Sequence, residues 1–204
     1  MAIFKNEGAL TPDYVPDKLP FRDDQLKLLQ TYFDSFIRLP GSIYVKAVMV
    51  GRSGSGKTVT SKKFGSYVRT ASKGRVEFVH VSCALHRTPF SVLKTIGLAL
   101  GLPIPRRGFS SEELLELILD DVATKDKYAI IALDDVFYLL NYSGPDSIDA
   151  LVRLGEEYSG KGYRFSLLLI SQSESFMDQL NRGVKSSLGG AVIEFPPYTK
   201  DQIF

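Results

Sequence analysis

The chain has 204 residues, 44% of them hydrophobic and 24% charged, which suits one α/β domain with a real core and excludes a disordered or fibrous chain. A formal net charge of +2 announces no nucleic-acid partner globally and leaves only a local basic surface for that role. The single cysteine, Cys83, excludes an internal disulfide, and neither a membrane-length apolar run nor a signal-peptide layout is present, so the composition reads as soluble and cytoplasmic.

In chain order, Pro12, Pro16 and Pro20 forbid helix in the first stretch and predict an extended arm lying on the rest of the protein. From Gln25 to Arg38 the apolar positions Leu26, Leu29, Tyr32, Phe33 and Phe36 recur at helical spacing, and Pro40-Gly41 closes that helix. Lys46 to Val50 reads as a strand, Val59 to Ala71 as a helix, and Arg75 to Cys83 as a strand with alternating Val76, Phe78, Val79 and Val81. Pro89 to Leu100 is helical up to Gly101, and Ser110-Ser111-Glu112-Glu113 is an N-cap with an acidic first turn before Leu114 to Ala123. Tyr128 to Leu133 and Phe165 to Ile170 are short, wholly apolar strands of the buried kind. Between and after them, Ser147 to Tyr158 and Glu174 to Leu180 read as helices, with a last strand from Ala191 to Phe195. Thr199 then resembles an N-cap whose helix the chain never completes, which points to a truncated chain or one that stops at a domain boundary. Five strands alternating with helices predict an α/β fold with a mostly parallel five-stranded sheet covered on both faces.

The chemistry starts at Gly51-Arg52-Ser53-Gly54-Ser55-Gly56-Lys57-Thr58, which satisfies G-x-x-x-x-G-K-[ST] with a strand before it and a helix after it. The alternative, a glycine-rich turn with a chance lysine, is disfavoured because both flanks are correct. The glycines let successive backbone N–H groups point inward as a nest for phosphate oxygens, and the helix N-terminus adds partial positive charge there. Gly51, Ser53, Gly54, Ser55, Gly56, Lys57, Thr58 and Val59 are therefore candidate nucleotide contacts. Lys57 would meet the β- and γ-phosphates and Thr58 would be a magnesium ligand. ATP or ADP with magnesium is the implied cofactor.

Such a loop needs a metal-holding acid on a neighbouring strand. Asp134 and Asp135 follow the apolar run Ala129-Ile130-Ile131-Ala132-Leu133, at the strand end where open parallel sheets place ligands. Asp134 is the candidate magnesium contact and Asp135 the candidate for orienting or deprotonating the attacking water. Gln172 or Ser171, ending the next buried strand, is a candidate for holding that water. His80 and His86 read as a strand and a loop residue, since no metal spacing joins them. Arg106-Arg107 beside Phe109 forms a basic loop tip, by default a solvated one.

The order of these parts resembles the archaeal origin-recognition/cell-division-control initiator ATPases of the AAA+ class. The resemblance rests on the box Tyr14-Val15-Pro16-Asp17-Lys18-Leu19-Pro20-Phe21-Arg22-Asp23, the phosphate loop, Leu133-Asp134-Asp135, Leu169-Ile170-Ser171, Val184-Lys185-Ser186-Ser187-Leu188 and Phe195-Pro196-Pro197-Tyr198-Thr199. It implies that Tyr14, Val15, Pro16 and Arg22 border the adenine, and that the segment around Pro103 to Leu114 lies near a DNA-facing insertion. Arg106 and Arg107 would then contact duplex phosphates. It also implies an arm and adenine-side box over 1–24, an AAA+ P-loop core over 25–198, and the start of a helical lid over 199–204.

Several positions depart from the family. Asp135 replaces the usual glutamate, Phe137 stands where another acid is common, and Gln172 replaces a strand-end asparagine. The trans-acting arginine position holds Gly183, with Arg182 one place early, which on a helix is a rotation of about 100°. The resemblance thus implies an initiator-type ATPase that binds ATP, hydrolyses it slowly, and acts on origin DNA beside like or paralogous AAA+ subunits. The alternatives are a nucleotide-gated assembly module with vestigial hydrolysis, or another AAA+ ATPase such as a transposition helper.

Overall fold

The structure is a computed structural model that describes residue 11 and residues 14–104, 108–157, 162–172, 175–188 and 190–203. Its elements run α1 (Asp23–Arg38), β1 (Lys46–Val50), α2 (Lys57–Ala71), β2 (Val76–Ser82), α3 (Pro89–Ala99), α4 (Ser111–Thr124) and β3 (Tyr128–Asp134). They continue with α5 (Val136–Ser143), α6 (Pro145–Glu157), β4 (Phe165–Ser171), α7 (Ser175–Asp178), α8 (Arg182–Leu188), β5 (Val192–Glu194) and α9 (Lys200–Ile203). None of these helices is long and apolar enough to cross a membrane.

The strands form one sheet in the order β2-β3-β4-β1-β5, and each pairing between them is parallel. The sheet is therefore more uniform than the mostly parallel one expected. The only departure among the described residues is an isolated antiparallel bridge between Gly41 and Tyr163. Strand periodicity divides the core in two. Val48 and Val50 of β1 and Leu167 and Leu169 of β4 face a cluster built with α3, α4, α5, α6 and α8. Ala47, Met49, Leu168 and Ile170 face the other way, onto α1 and α2. That second face is held by aromatic packing: Phe33, Phe36 and Phe64 are fully buried, and the Phe33 and Phe64 rings lie 5.4 Å apart. Burial of each such side chain contributes roughly 1.5–3 kcal/mol.

Helix starts follow local chemistry. Thr88 and Ser91 form a capping box on α3 with Pro89 at its first turn, and Ser110 and Glu113 form one on α4, as the acidic first turn suggested. Thr199 opens α9, and the Gln202 side chain accepts from the Thr199 N–H at 3.1 Å. The phosphate-loop helix begins at Lys57, two residues before the expected Val59, because Gly56 at φ +89° turns the chain directly into it. Two helices were not anticipated. α5 follows Asp135, which is itself left-handed at φ +55° and makes no side-chain cap. α8 is only 7 residues long. The expected helix over Glu174 to Leu180 shrinks to α7, with Glu174 outside the described residues.

Because every strand points the same way, the C-terminal ends of β1, β3 and β4 open on one edge. The phosphate loop, Asp134-Asp135 and Gln172 share that edge.

Candidate functional site

At this edge lies a cavity of about 290 Å³ lined by Ser53, Gly54, Gly56, Lys57, Thr58, Val59, Asp135 and Gln172. Its floor is the turn from β1 into α2. Gly51 is required there by close approach: at φ +154°, a Cβ would sit 2.4 Å from the Phe195 carbonyl oxygen. Gly54 and Gly56, at φ +79° and +89°, curl the loop in the left-handed region that glycine tolerates. The Lys57 side chain is folded onto its own loop, donating to Gly51 O at 2.6 Å and Arg52 O at 2.9 Å. Burial pulls the Lys57 ammonium below its ordinary value, with Asp134 and Asp135 partly opposing that shift. Among the described residues the buried Ser55 hydroxyl has no hydrogen-bond partner, an orphan of the kind that a bound group or water satisfies.

The acids are arranged in relay. Thr58 Oγ1 donates to Asp134 Oδ2 at 2.7 Å, and the Asp135 N–H donates to Asp134 Oδ1 at 2.9 Å. Burial pushes the Asp134 carboxyl up, but the His80 imidazole beside it, the Thr58 hydrogen bond and the Asp135 N–H outweigh it. The group lies below its usual range and is a carboxylate at neutral pH. The Gln172 side-chain amide donates to Asp135 Oδ1 at 2.9 Å. One hydroxyl beside one carboxylate is a hard-oxygen donor pair, the kind that holds magnesium together with phosphate oxygens and waters rather than in an all-protein cage. No cluster of three or more His, Cys, Asp or Glu side chains suited to a metal occurs among the described residues. The residues present therefore fit a magnesium–nucleotide complex.

None of the adenine-side candidates lines this cavity, although Arg22 borders its loop. Pro16 O and Asp17 O accept from the Lys63 ammonium at 3.3 and 2.7 Å, which ties the arm to α2. Tyr14 is exposed and Val15 and Pro16 are half-buried. Arg22 is only 3% exposed, and three of its donors reach backbone carbonyls: Ser55 O at 2.8 Å, Phe21 O at 3.0 Å and Pro196 O at 2.7 Å. Its guanidinium also lies 4.1 Å from the Tyr198 ring centroid. Arg22 thus joins the arm, the phosphate loop and the segment after β5 at one point.

Arg182 opens α8, is exposed, and does not line the cavity of its own chain. Arg106 and Arg107 lie outside the described residues. The structure adds one neighbour, His80 of β2, whose Nε2 is 3.2 Å from Asp134 Oδ2. Strand periodicity puts His80 on the α2 face with Phe78, but only the β2–β3 register, with Ser82 opposite Asp134, brings it to the acid.

A family model described as an AAA domain matches residues 47–180. The ORC1-type DNA replication protein 2 of Sulfurisphaera tokodaii is 36% identical over an alignment covering 99% of this chain and 49% of that protein. The Saccharolobus solfataricus protein of the same name is 32% identical over 99% of this chain and 50% of its own length. Among solved structures, Cdc6p from Pyrobaculum aerophilum superposes with a TM-score of 0.88 at 33% identity, covering 97% of this chain and 51% of that one. The Aeropyrum pernix ORC1 protein in complex with DNA gives 0.82 at 30% identity, over 95% and 50%. The chain spans about half the length of the relatives it matches.

Proposed function

The chain belongs to the AAA domain family, and from that premise we propose that it is the ATPase core of a replication-initiator-type protein. It binds ATP with magnesium, hydrolyses it slowly, and acts on origin DNA beside like or paralogous AAA+ subunits. The observation that carries this is the phosphate loop opening α2 with its threonine hydroxyl bonded to a buried strand-end carboxylate. The similarity to ORC1-type DNA replication proteins, and to an ORC1 protein solved with DNA, supports the assignment to origins.

In this reading Gly51, Ser53, Gly54, Ser55, Gly56 and Val59 shape the phosphate nest, and Lys57 leaves the Gly51 and Arg52 carbonyls to meet the phosphates. Thr58 and Asp134 hold magnesium, which when bound supplies charge neutralisation across the phosphates. Asp135 orients or deprotonates the attacking water, and Gln172 holds Asp135 or the water. Tyr14, Val15, Pro16 and Arg22 form the adenine side, within an arm over 1–24 that precedes a core over 25–198. Residues 199–204 begin a helical lid. Arg106 and Arg107 contact duplex phosphates, and Arg182 is the candidate trans arginine.

A second reading, a nucleotide-gated assembly module with vestigial hydrolysis, is favoured by one contact: the Gln172 amide engages Asp135 Oδ1, one of the two oxygens through which that carboxylate could address a water. Binding of a fluorescent ATP analogue, with and without magnesium, tests the first half of the proposal. Lys57→Ala is expected to weaken binding at least about tenfold, since it removes the charge facing the phosphates. Wild-type protein that binds no nucleotide refutes both readings. Single-turnover hydrolysis by wild type and Asp135→Asn then separates them, because equal rates leave only the assembly module.

A further inference from the structure

Asp134 is buried, with 7% of its side chain exposed, and both its oxygens are engaged within the protein. Oδ1 takes the Asp135 N–H, while Oδ2 takes the Thr58 hydroxyl and faces His80 Nε2 at 3.2 Å. That nitrogen is itself buried and lacks the alignment of a full hydrogen bond to any group in the described residues. Whether neutral with its hydrogen on Nε2 or doubly protonated, the ring turns a positive N–H edge toward Oδ2. A buried carboxylate is costly without such compensation.

A divalent cation held between Thr58 and Asp134 would draw on the same negative charge. Two positive groups serving one carboxylate repel each other, so each lowers the other's hold on it. The ring also has somewhere to go. Its outer side lines a cleft of about 160 Å³ with Lys62, Gly65, Ser66, Arg69 and Phe78, between α2 and the edge strand β2.

We propose that His80 stands in for the cation in the metal-free protein, compensating Asp134 until magnesium arrives and thereby weakening the site's affinity for magnesium. His80 is in this account a positioning residue that acts through Asp134. The inference rests on the magnesium–nucleotide reading of the same site.

The test titrates magnesium into the full chain saturated with a fluorescent ADP analogue, and measures the melting temperature of the metal-free protein alongside. His80→Gln keeps an N–H donor of similar reach, whereas His80→Phe removes it and His80→Asn falls short of Oδ2. The magnesium midpoint is expected to fall about fivefold in the Phe and Asn variants, the factor that corresponds to losing one contact of ordinary hydrogen-bond strength. Their metal-free melting temperature is expected to drop, and the Gln variant should stay within about twofold of wild type. A midpoint that is unchanged or raised in either the Phe or the Asn variant overturns the inference. If His80→Phe does not fold, His80→Asn decides the comparison. Wild-type protein that binds no nucleotide would instead overturn the functional reading beneath it, whereas normal binding with no shift overturns this inference alone.

Discussion

Removing Arg22 should unfasten three segments at once, and the size of the effect can be worked from its contacts. Its guanidinium donates to Ser55 O, Phe21 O and Pro196 O and lies against Tyr198. A hydrogen bond from a charged donor contributes roughly 1.5–3 kcal/mol net, and a cation–π contact roughly 0.5–2 kcal/mol. The full sum is not lost in Arg22→Ala, because the arm can lift and let water reach the three carbonyls. A net loss of about 2–4 kcal/mol is therefore expected, large against the marginal stability of a domain. Urea unfolding read by fluorescence measures it as a lower midpoint at unchanged slope. Arg22→Lys is the informative companion. An ammonium keeps the charge but cannot fork toward carbonyls on separate segments, so it should recover less than half of the loss. A loss under about 1 kcal/mol in Arg22→Ala, or full recovery by lysine, would refute the view that these contacts hold the segments together.

Three further outcomes follow from particular contacts. Gly65→Ala should destabilise by about 1–3 kcal/mol in the same assay, since a Cβ there lies 2.3 Å from the Phe78 ring, which is itself packed edge-on to Phe64. Burial, with Asp134 and Asp135 adding, pushes the Cys83 thiol up to about 12. It should therefore react with a disulfide reagent at pH 8 only after denaturant exposes it, and brisk labelling of the folded protein would contradict its burial. The Arg164 and Tyr128 hydrogen bonds hold the Asp126 carboxyl below its usual range. A group depressed in this way contributes stability above its unfolded value and loses it as pH falls through the folded one. Asp126→Asn, which tolerates the left-handed φ of +48°, should lower the urea midpoint at pH 7 and flatten its decline below pH 4. Parallel wild-type and variant curves would exclude that contribution.

The parts of the site that were legible in the sequence are those whose chemistry is local. A glycine loop between an apolar strand and a helix needs no tertiary information, and neither does an acid pair ending a buried run. What escaped was set by register or by distance along the chain. His80 meets Asp134 only because β2 and β3 pair with Ser82 opposite the acid, and nothing within β2 announces that alignment. Arg22 finds a carbonyl 174 residues onward, a partner no window of sequence contains. The helix after Asp135 carries no start signal in the sequence, because its first residue follows a left-handed aspartate with no side-chain cap. Its exposed face carries Phe137, Tyr138 and Tyr142, which blurs the amphipathic signal that marks a surface helix. For the same reason the sheet was easier to foresee than its order. Alternation of strands and helices implies parallel pairing, while the placement of β1 between β4 and β5 rests on contacts between distant segments.

That placement has a consequence during synthesis. β1 and its phosphate loop leave the ribosome well before their partner strands, since Lys46 pairs with Leu167 and Val48 with Val192. At about 5–20 residues per second, the loop waits several seconds or more for the strands that flank it. Over that interval Ala47, Val48, Met49 and Val50 form an apolar segment with both edges unpaired, the kind of sequence that recruits chaperones or mispairs with a neighbouring nascent chain. Translation speed between the codons for β1 and those for β5 would then influence how much of this protein matures into a nucleotide-competent form.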